Sequence, residues 1–119
     1  MSYKVVVTSD FKRAAKRLNK KYPSFKQDFS DFIKSLEENP LQGAELYPGI
    51  RKIRMRVKSK GKGSSGGARI ITYNVLVNEE EGEIYLIMVY DKEDFSSVET
   101  KIIREMIHEM GFDGGDPVI

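Results

Sequence analysis

The side chains with the most chemistry to offer are cations. Between Glu45 and Glu79 the chain has no acidic residue, yet it carries Arg51, Lys52, Arg54, Arg56, Lys58, Lys60, Lys62 and Arg69. Basic and apolar residues alternate in Lys52-Ile53-Arg54-Met55-Arg56-Val57-Lys58. Successive side chains of a β-strand point to opposite faces, so this spacing sends Ile53, Met55 and Val57 into a core. Lys52, Arg54, Arg56 and Lys58 then stand together on the other face. Crowded like charges repel unless something negative meets them, most simply a phosphate backbone or an acidic protein partner. Arg69 opens the next strand, and a hairpin brings its planar fork, suited to phosphate oxygens, beside that face.

A cleft of cations suits cleavage of RNA by its own 2′-hydroxyl. The substrate brings the nucleophile. The enzyme must orient it, stabilise phosphorane charge and protonate the leaving oxygen, which Arg and Lys can do alone. Repulsion from Arg54, Arg56 and Arg69 is expected to disfavour the charged form of Lys52 and make it the candidate base.

Other chemistries are poorly supplied. There is no cysteine, hence no disulfide, thiolate ligand or cysteine nucleophile. His108 is the single histidine, which argues against zinc and rules out a histidine pair for acid–base work. Asp91, Glu93 and Asp94 are the nearest approach to a Mg²⁺ site, but acidic clusters after a strand are mostly solvated. No metal and no cofactor are expected. The stretch Lys58 to Gly67 resembles a phosphate loop only superficially, because Gly67-Ala68 stands where Lys-Ser/Thr is required. It is expected to be either a plain flexible hairpin loop or a mobile basic flap that closes over nucleic acid.

The net charge of +2 hides an asymmetry: residues 1–75 hold 17 Lys and Arg against 6 Asp and Glu, and residues 76–119 hold 3 against 12. A polyanion-binding face backed by an acidic remainder fits this balance better than local pairing. Apolar runs such as Val5-Val6-Val7 are far too short for a signal peptide or membrane span, so a cytoplasmic protein without a membrane partner is expected.

The elements that must position these cations follow from spacing. Tyr3 to Thr8 is expected as a strand. Ser9 or Asp10 caps a helix buried through Phe11, Ala14, Ala15 and Leu18, which Tyr22-Pro23 ends. Ser24-Phe25-Lys26-Gln27 matches a capping box opening a second helix, with Phe25, Phe29, Phe32, Ile33 and Leu36 as its apolar stripe. After a connection from Leu41 to Gly49, strands are expected at about 50–58, 68–78 and 83–91. Ser96-Ser97-Val98-Glu99 matches a second capping box, opening a helix that Gly111 stops. The order β-α-α-β-β-β-α gives one α+β domain over 1–119, with 112–119 a loose tail. Its antiparallel or mixed sheet has about four strands, with an N-terminal αα-hairpin and a C-terminal helix on one face.

Several of these residues resemble the RelE/HigB branch of bacterial type II toxins, within the RelE/ParE superfamily. They are Phe11 to Leu18, Asn39-Pro40, Lys52-Ile53-Arg54, Gly61 to Ile71, Ile84-Tyr85-Leu86 and Tyr90-Asp91-Lys92. The resemblance implies a small α+β ribonuclease fold and an endoribonuclease that cleaves mRNA in the ribosomal A site without metal. It also implies a cognate antitoxin, whose acidic segment covers the basic face.

Carried over by position, the family's basic pair falls on Lys52 and Arg54, the next strand's arginine on Arg69, and the basic residue after the last central strand on Lys92. Arg56, Lys58, Lys60, Lys62, Tyr73 and Tyr90 are the expected RNA contacts. RelE's C-terminal tyrosine has no counterpart in Phe95-Ser96-Ser97-Val98, and Tyr90 or Tyr73 is its candidate substitute. The rivals are a ParE-like gyrase-poisoning toxin and a non-catalytic RNA- or ribosome-binding module.

Overall fold

The computed structural model describes residues 2–60, 67–94 and 98–111. Its elements are β1 (Ser2–Val7), α1 (Ser9–Lys21), α2 (Phe25–Glu38), β2 (Ala44–Tyr47), β3 (Ile50–Met55), β4 (Ala68–Leu76), β5 (Glu81–Asp91) and α3 (Thr100–Glu109), with a 3₁₀ turn at Lys58–Lys60. The strands form one five-stranded sheet in the order β1-β5-β4-β3-β2. β1 runs parallel to β5, and the other pairs are antiparallel. The architecture is therefore α+β, with a mixed sheet.

Both faces of the sheet are covered. Phe11, Leu18, Phe25, Phe32 and Leu36 of α1 and α2 meet Ile53, Met55, Ile70, Ile84, Leu86 and Val89 on one face. On the other, Ile103 and Ile107 of α3 meet Ile50, Ile71, Tyr73, Val75, Ile87 and Tyr90. The expectation of helices on one face alone is corrected here. The apolar stripe of α3 needs cover of its own, and the odd-numbered residues Ile71, Tyr73 and Val75 of β4 supply it.

The sheet has one strand more than expected. β2 lies inside the stretch assigned to a connection, because Ala44-Glu45-Leu46-Tyr47 shows no clear alternation. It forms because Pro48-Gly49, with Gly49 at φ +83°, turns the chain back along β2 into β3, and because Gly43, at φ +84°, makes the turn that leads into β2. The Arg51 side chain then holds the turn, its Nε and Nη2 donating to the carbonyls of Gln42 and Gly43, each at 3.0 Å.

The helix starts also differ. Thr8, not Ser9 or Asp10, caps α1: its hydroxyl accepts from the Phe11 N–H at 3.3 Å and donates to the Leu86 carbonyl at 2.8 Å. The same group thus ties α1 to β5. Ser24 closes no capping box; its hydroxyl donates to buried Asp28 at 2.6 Å. α3 begins at Thr100, with Glu99 as a cap that makes no side-chain bond to the helix. Ser96 and Ser97 lie outside the described residues, as does the tail expected at 112–119. Among the described residues no helix is long and apolar enough to cross a membrane.

Gly43 offers a direct check on how β2 is held. An added Cβ would sit 2.4 Å from the Lys52 carbonyl oxygen. Gly43→Ala should therefore cost about 1–3 kcal/mol from the positive φ and the clash together. A urea melt should show this as a lowered midpoint with an unchanged slope.

Candidate active site

The β3–β4 register sets Arg54 directly opposite Arg69. The β4–β5 register sets Arg69 opposite Tyr90. Directly opposed residues share a face, so two guanidinium groups and a phenol form one row across three strands. Lys52 stands two residues along β3 on that same face, opposite Ile71. This is the face that α3 covers elsewhere: at one end its residues are apolar and packed, and at the other they are basic.

Lys92 reaches this face through an irregularity in β5. Ile71 pairs with Met88, but Thr72 pairs with Leu86, so Ile87 is an extra residue. Before this bulge Tyr85 and Ile87 face the second core; after it Met88 and Tyr90 do. The bulge reverses the alternation and re-aims every side chain that follows. Continued without it, Asp91 would face the cations and Lys92 the first core.

The outcome is a cleft of about 560 Å³ lined by Lys52, Arg54, Arg69 and Lys92, with Ile53 and the turn Gln42-Gly43-Ala44. All four residues expected to be catalytic therefore line one space. Gln42, Gly43 and Arg51, which holds them, were not singled out as site residues from sequence. An arginine whose partners are backbone carbonyls leaves no motif to find.

Like-charge crowding is visible at Arg69. Burial pushes its guanidinium below the ordinary arginine value, repulsion from Arg54 pushes it further, and Tyr90 acts in the opposite sense. Only 5% of Arg69 is exposed, so its charge sits at the floor of the cleft, and one Nη donates to the Ala68 carbonyl at 3.3 Å. Arg54 is exposed and Lys52 half-buried at the rim. Burial raises the Tyr90 phenol above its ordinary value, with Arg69 working against the rise. Deeply placed positive charge with exposed positive charge above it is an arrangement that attracts anions.

The other expected RNA contacts are placed differently. Arg56 and Lys58 lie past the end of β3 in an adjoining groove of about 200 Å³ that shares Arg54 with the cleft. Lys58 Nζ stands 4.0 Å from Asp31. Lys60 turns away: its side chain is 3% exposed, 2.6 Å from Asp91 and over the Tyr22 ring. Tyr73 is 1% exposed in the second core and so closed to RNA. Tyr90 is buried beside Arg69. Lys62 and the rest of the glycine-rich loop at 61–66, together with Phe95-Ser96-Ser97, lie outside the described residues.

Asp91 is not the solvated carboxylate expected from its acidic neighbours. Its side chain is fully buried, accepting from Lys60 Nζ and from the Tyr22 hydroxyl. Among the described residues no three His, Asp or Glu side chains gather as metal ligands would.

No protein-family model matches the chain. A mutant of the E. coli toxin RelE, solved in the free state, aligns with a TM-score of 0.54 at 16% identity, over 94% of this chain and 100% of that one. The chain thus has a RelE-like α+β fold.

Burial alone would raise the Asp91 carboxyl. Hydrogen bonds from Lys60, Tyr22 and the Glu93 N–H outweigh it and hold the group well below the usual carboxylate range. A folded pKa below the unfolded one gives stability that is full above about pH 4 and is lost as pH falls towards the folded value. Between pH 4 and pH 2 the wild type should therefore lose more stability than Asp91→Asn. Urea midpoints across that range measure the difference; equal slopes would show that the carboxylate is not held in its charged form.

Proposed function

We propose that this protein is the toxin of a type II toxin–antitoxin pair, and that it is an endoribonuclease cutting mRNA in the ribosomal A site without a metal ion. The observation that carries the reading is the meeting of Lys52, Arg54, Arg69 and Lys92 in one cleft. The RelE-like fold supports it, as the fold of a toxin.

In this reading Arg54 and Arg69 grip the scissile phosphate and neutralise its growing charge. Lys52 takes the proton of the 2′-hydroxyl, whose oxygen attacks phosphorus. The bond from phosphorus to the 5′-oxygen breaks, and Lys92 protonates or stabilises that leaving oxygen. The products are a 2′,3′-cyclic phosphate, or the 3′-phosphate that its hydrolysis gives, and a 5′-hydroxyl. Arg56 and Lys58, in the groove continuous with Arg54, take flanking phosphates.

The cognate antitoxin is the expected protein partner. An acidic segment laid over Lys52 and Arg54 relieves their repulsion and occupies the place of the phosphate. The reaction belongs in the cytoplasm, where mRNA and ribosome meet.

Induction in cells followed by mapping of mRNA 5′ ends tests the whole reading. Wild type should produce new ends at codon positions. Arg54→Ala, an exposed substitution that leaves both cores intact, should reduce them about 10²-fold or more, and so should Arg69→Ala. Growth arrest with intact transcripts and broken DNA would point instead to a gyrase poison. Salt-sensitive RNA binding without any cut product would leave only a binding module.

A further inference from the structure

Asp91 and Lys92 are neighbours in sequence that face opposite sides of the sheet. Lys92 lines the cleft. Asp91 lies beneath it, joined to four segments of the chain. Its Oδ1 accepts from Lys60 Nζ at 2.6 Å and from the Glu93 N–H at 2.9 Å. Its Oδ2 accepts from the Tyr22 hydroxyl and, at 3.5 Å, from Lys21 Nζ. Its backbone carbonyl accepts from the Asp94 N–H at 2.9 Å. One carboxylate therefore links the end of α1, the α1–α2 junction, the 58–60 turn and the turn after β5.

Lys92 itself has little to fix it. It is the first residue past β5, and its N–H reaches the Gly67 carbonyl only at 3.5 Å. No ion pair holds its ammonium among the described residues. Its place is set by the turn it stands on, and that turn is set by the bonds from Glu93 and Asp94 back to Asp91. A buried ion pair is weak evidence for stability, since a well-packed apolar group often does as well. Its particular gift is a fixed arrangement. From the proposed function it follows that such a device is worth having here, because a cation an ångström out of place loses much of its effect on a reacting phosphate.

We infer that Asp91, clamped by Lys60 and Tyr22, is the positioning residue of this site: it fixes the turn that aims Lys92 across the cleft at the phosphate held by Arg54 and Arg69. The inference rests on the phosphate-binding part of the proposed function. It adds three residues, none of which touches substrate.

A double-mutant cycle between Asp91 and Lys92 tests it, read by the affinity for a short RNA whose scissile nucleotide carries 2′-deoxyribose and cannot be cut. Lys92→Ala should weaken binding about fivefold, the worth of one phosphate contact. Asp91→Asn should weaken it by a similar factor, and the double variant should bind no worse than Lys92→Ala alone. Tyr22→Phe, which removes a single hydrogen bond, should fall between wild type and Asp91→Asn. If Asp91→Asn does not fold, Tyr22→Phe and Lys60→Met carry the cycle with Lys92→Ala.

Penalties that multiply in the double variants, or Asp91-side variants that melt earlier yet bind as wild type, would overturn the inference and leave a merely structural knot. A wild type that binds the uncleavable RNA but never cuts the all-ribose version, free or on ribosomes, would sink the nuclease reading while the cycle still reports on Asp91. A wild type that binds the RNA neither free nor on ribosomes would remove both.

Discussion

Two guanidinium groups set directly opposite one another on neighbouring strands would, on their own, drive a β-ladder out of register. Arg54 and Arg69 are held so because the rest of β3 and β4 leaves the ladder no alternative. On one face Ile53 and Ile70 are locked beneath α1 and α2; on the other Ile50, Ile71 and Tyr73 are locked beneath α3. A slip by one residue would turn every one of those side chains to the wrong face. Each buried aliphatic side chain contributes roughly 1.5–3 kcal/mol, and like-charge repulsion across a strand pair is well under that. The cores decide the register, and the cations accept their positions.

The same reasoning extends to β5. Alternation is a property of regular strands, and it breaks at Ile87, where one extra residue exchanges the faces of everything after it. The exchange is what gives Lys92 to the cleft and Asp91 to the interior. Two adjacent residues of opposite charge are thus separated by the thickness of the sheet. Without that exchange the two would change places, Asp91 facing the cations and Lys92 the first core, and Lys60 would lose its partner.

How far the sequence shows all this differs by residue. The alternation of Lys52 to Lys58 was enough to place Ile53, Met55 and Val57 inside and Lys52 and Arg54 outside, since period-two patterns depend only on strand geometry. The hairpin was enough to bring Arg69 alongside. β2 was not legible, because a four-residue edge strand held by an arginine and a glycine turn carries no periodicity. The bulge was not legible either: Ile87 and Met88 are both apolar, so the reversal leaves no mark in composition. Lys60 was assigned to RNA with its basic neighbours, yet its ammonium is buried beside Asp91, because the strand ends at Met55 and a 3₁₀ turn carries Lys58 to Lys60 towards α1 and α2. Tyr22 showed only as the residue before a helix-ending proline. Such roles are made by tertiary contact between residues 31 and 69 positions apart, which no local pattern records.

The uneven charge of the chain acquires a structural meaning from these contacts. Acids of the C-terminal third could in principle have quenched the basic segment, and one of them, Asp91, does so for Lys60. The quenching stops at the sheet. On the cleft side Lys52, Arg54 and Lys92 have no ion pair among the described residues, while on the far side the Asp91 carboxylate and the Lys60 ammonium are buried together, with Lys21 reaching the carboxylate from the surface. The fold therefore sorts its described charges into a closed set, satisfied internally, and an open set that has no ion pair among the described residues. An open set whose backbone is fixed by the β3–β4–β5 ladders and the turn after β5 keeps its layout before any ligand arrives, so less ordering remains to be done on binding. In the proposed function, that preorganisation is what would let a few ordinary lysines and arginines hold a phosphate. In the same proposal, that surface is where the antitoxin's acidic segment would lie.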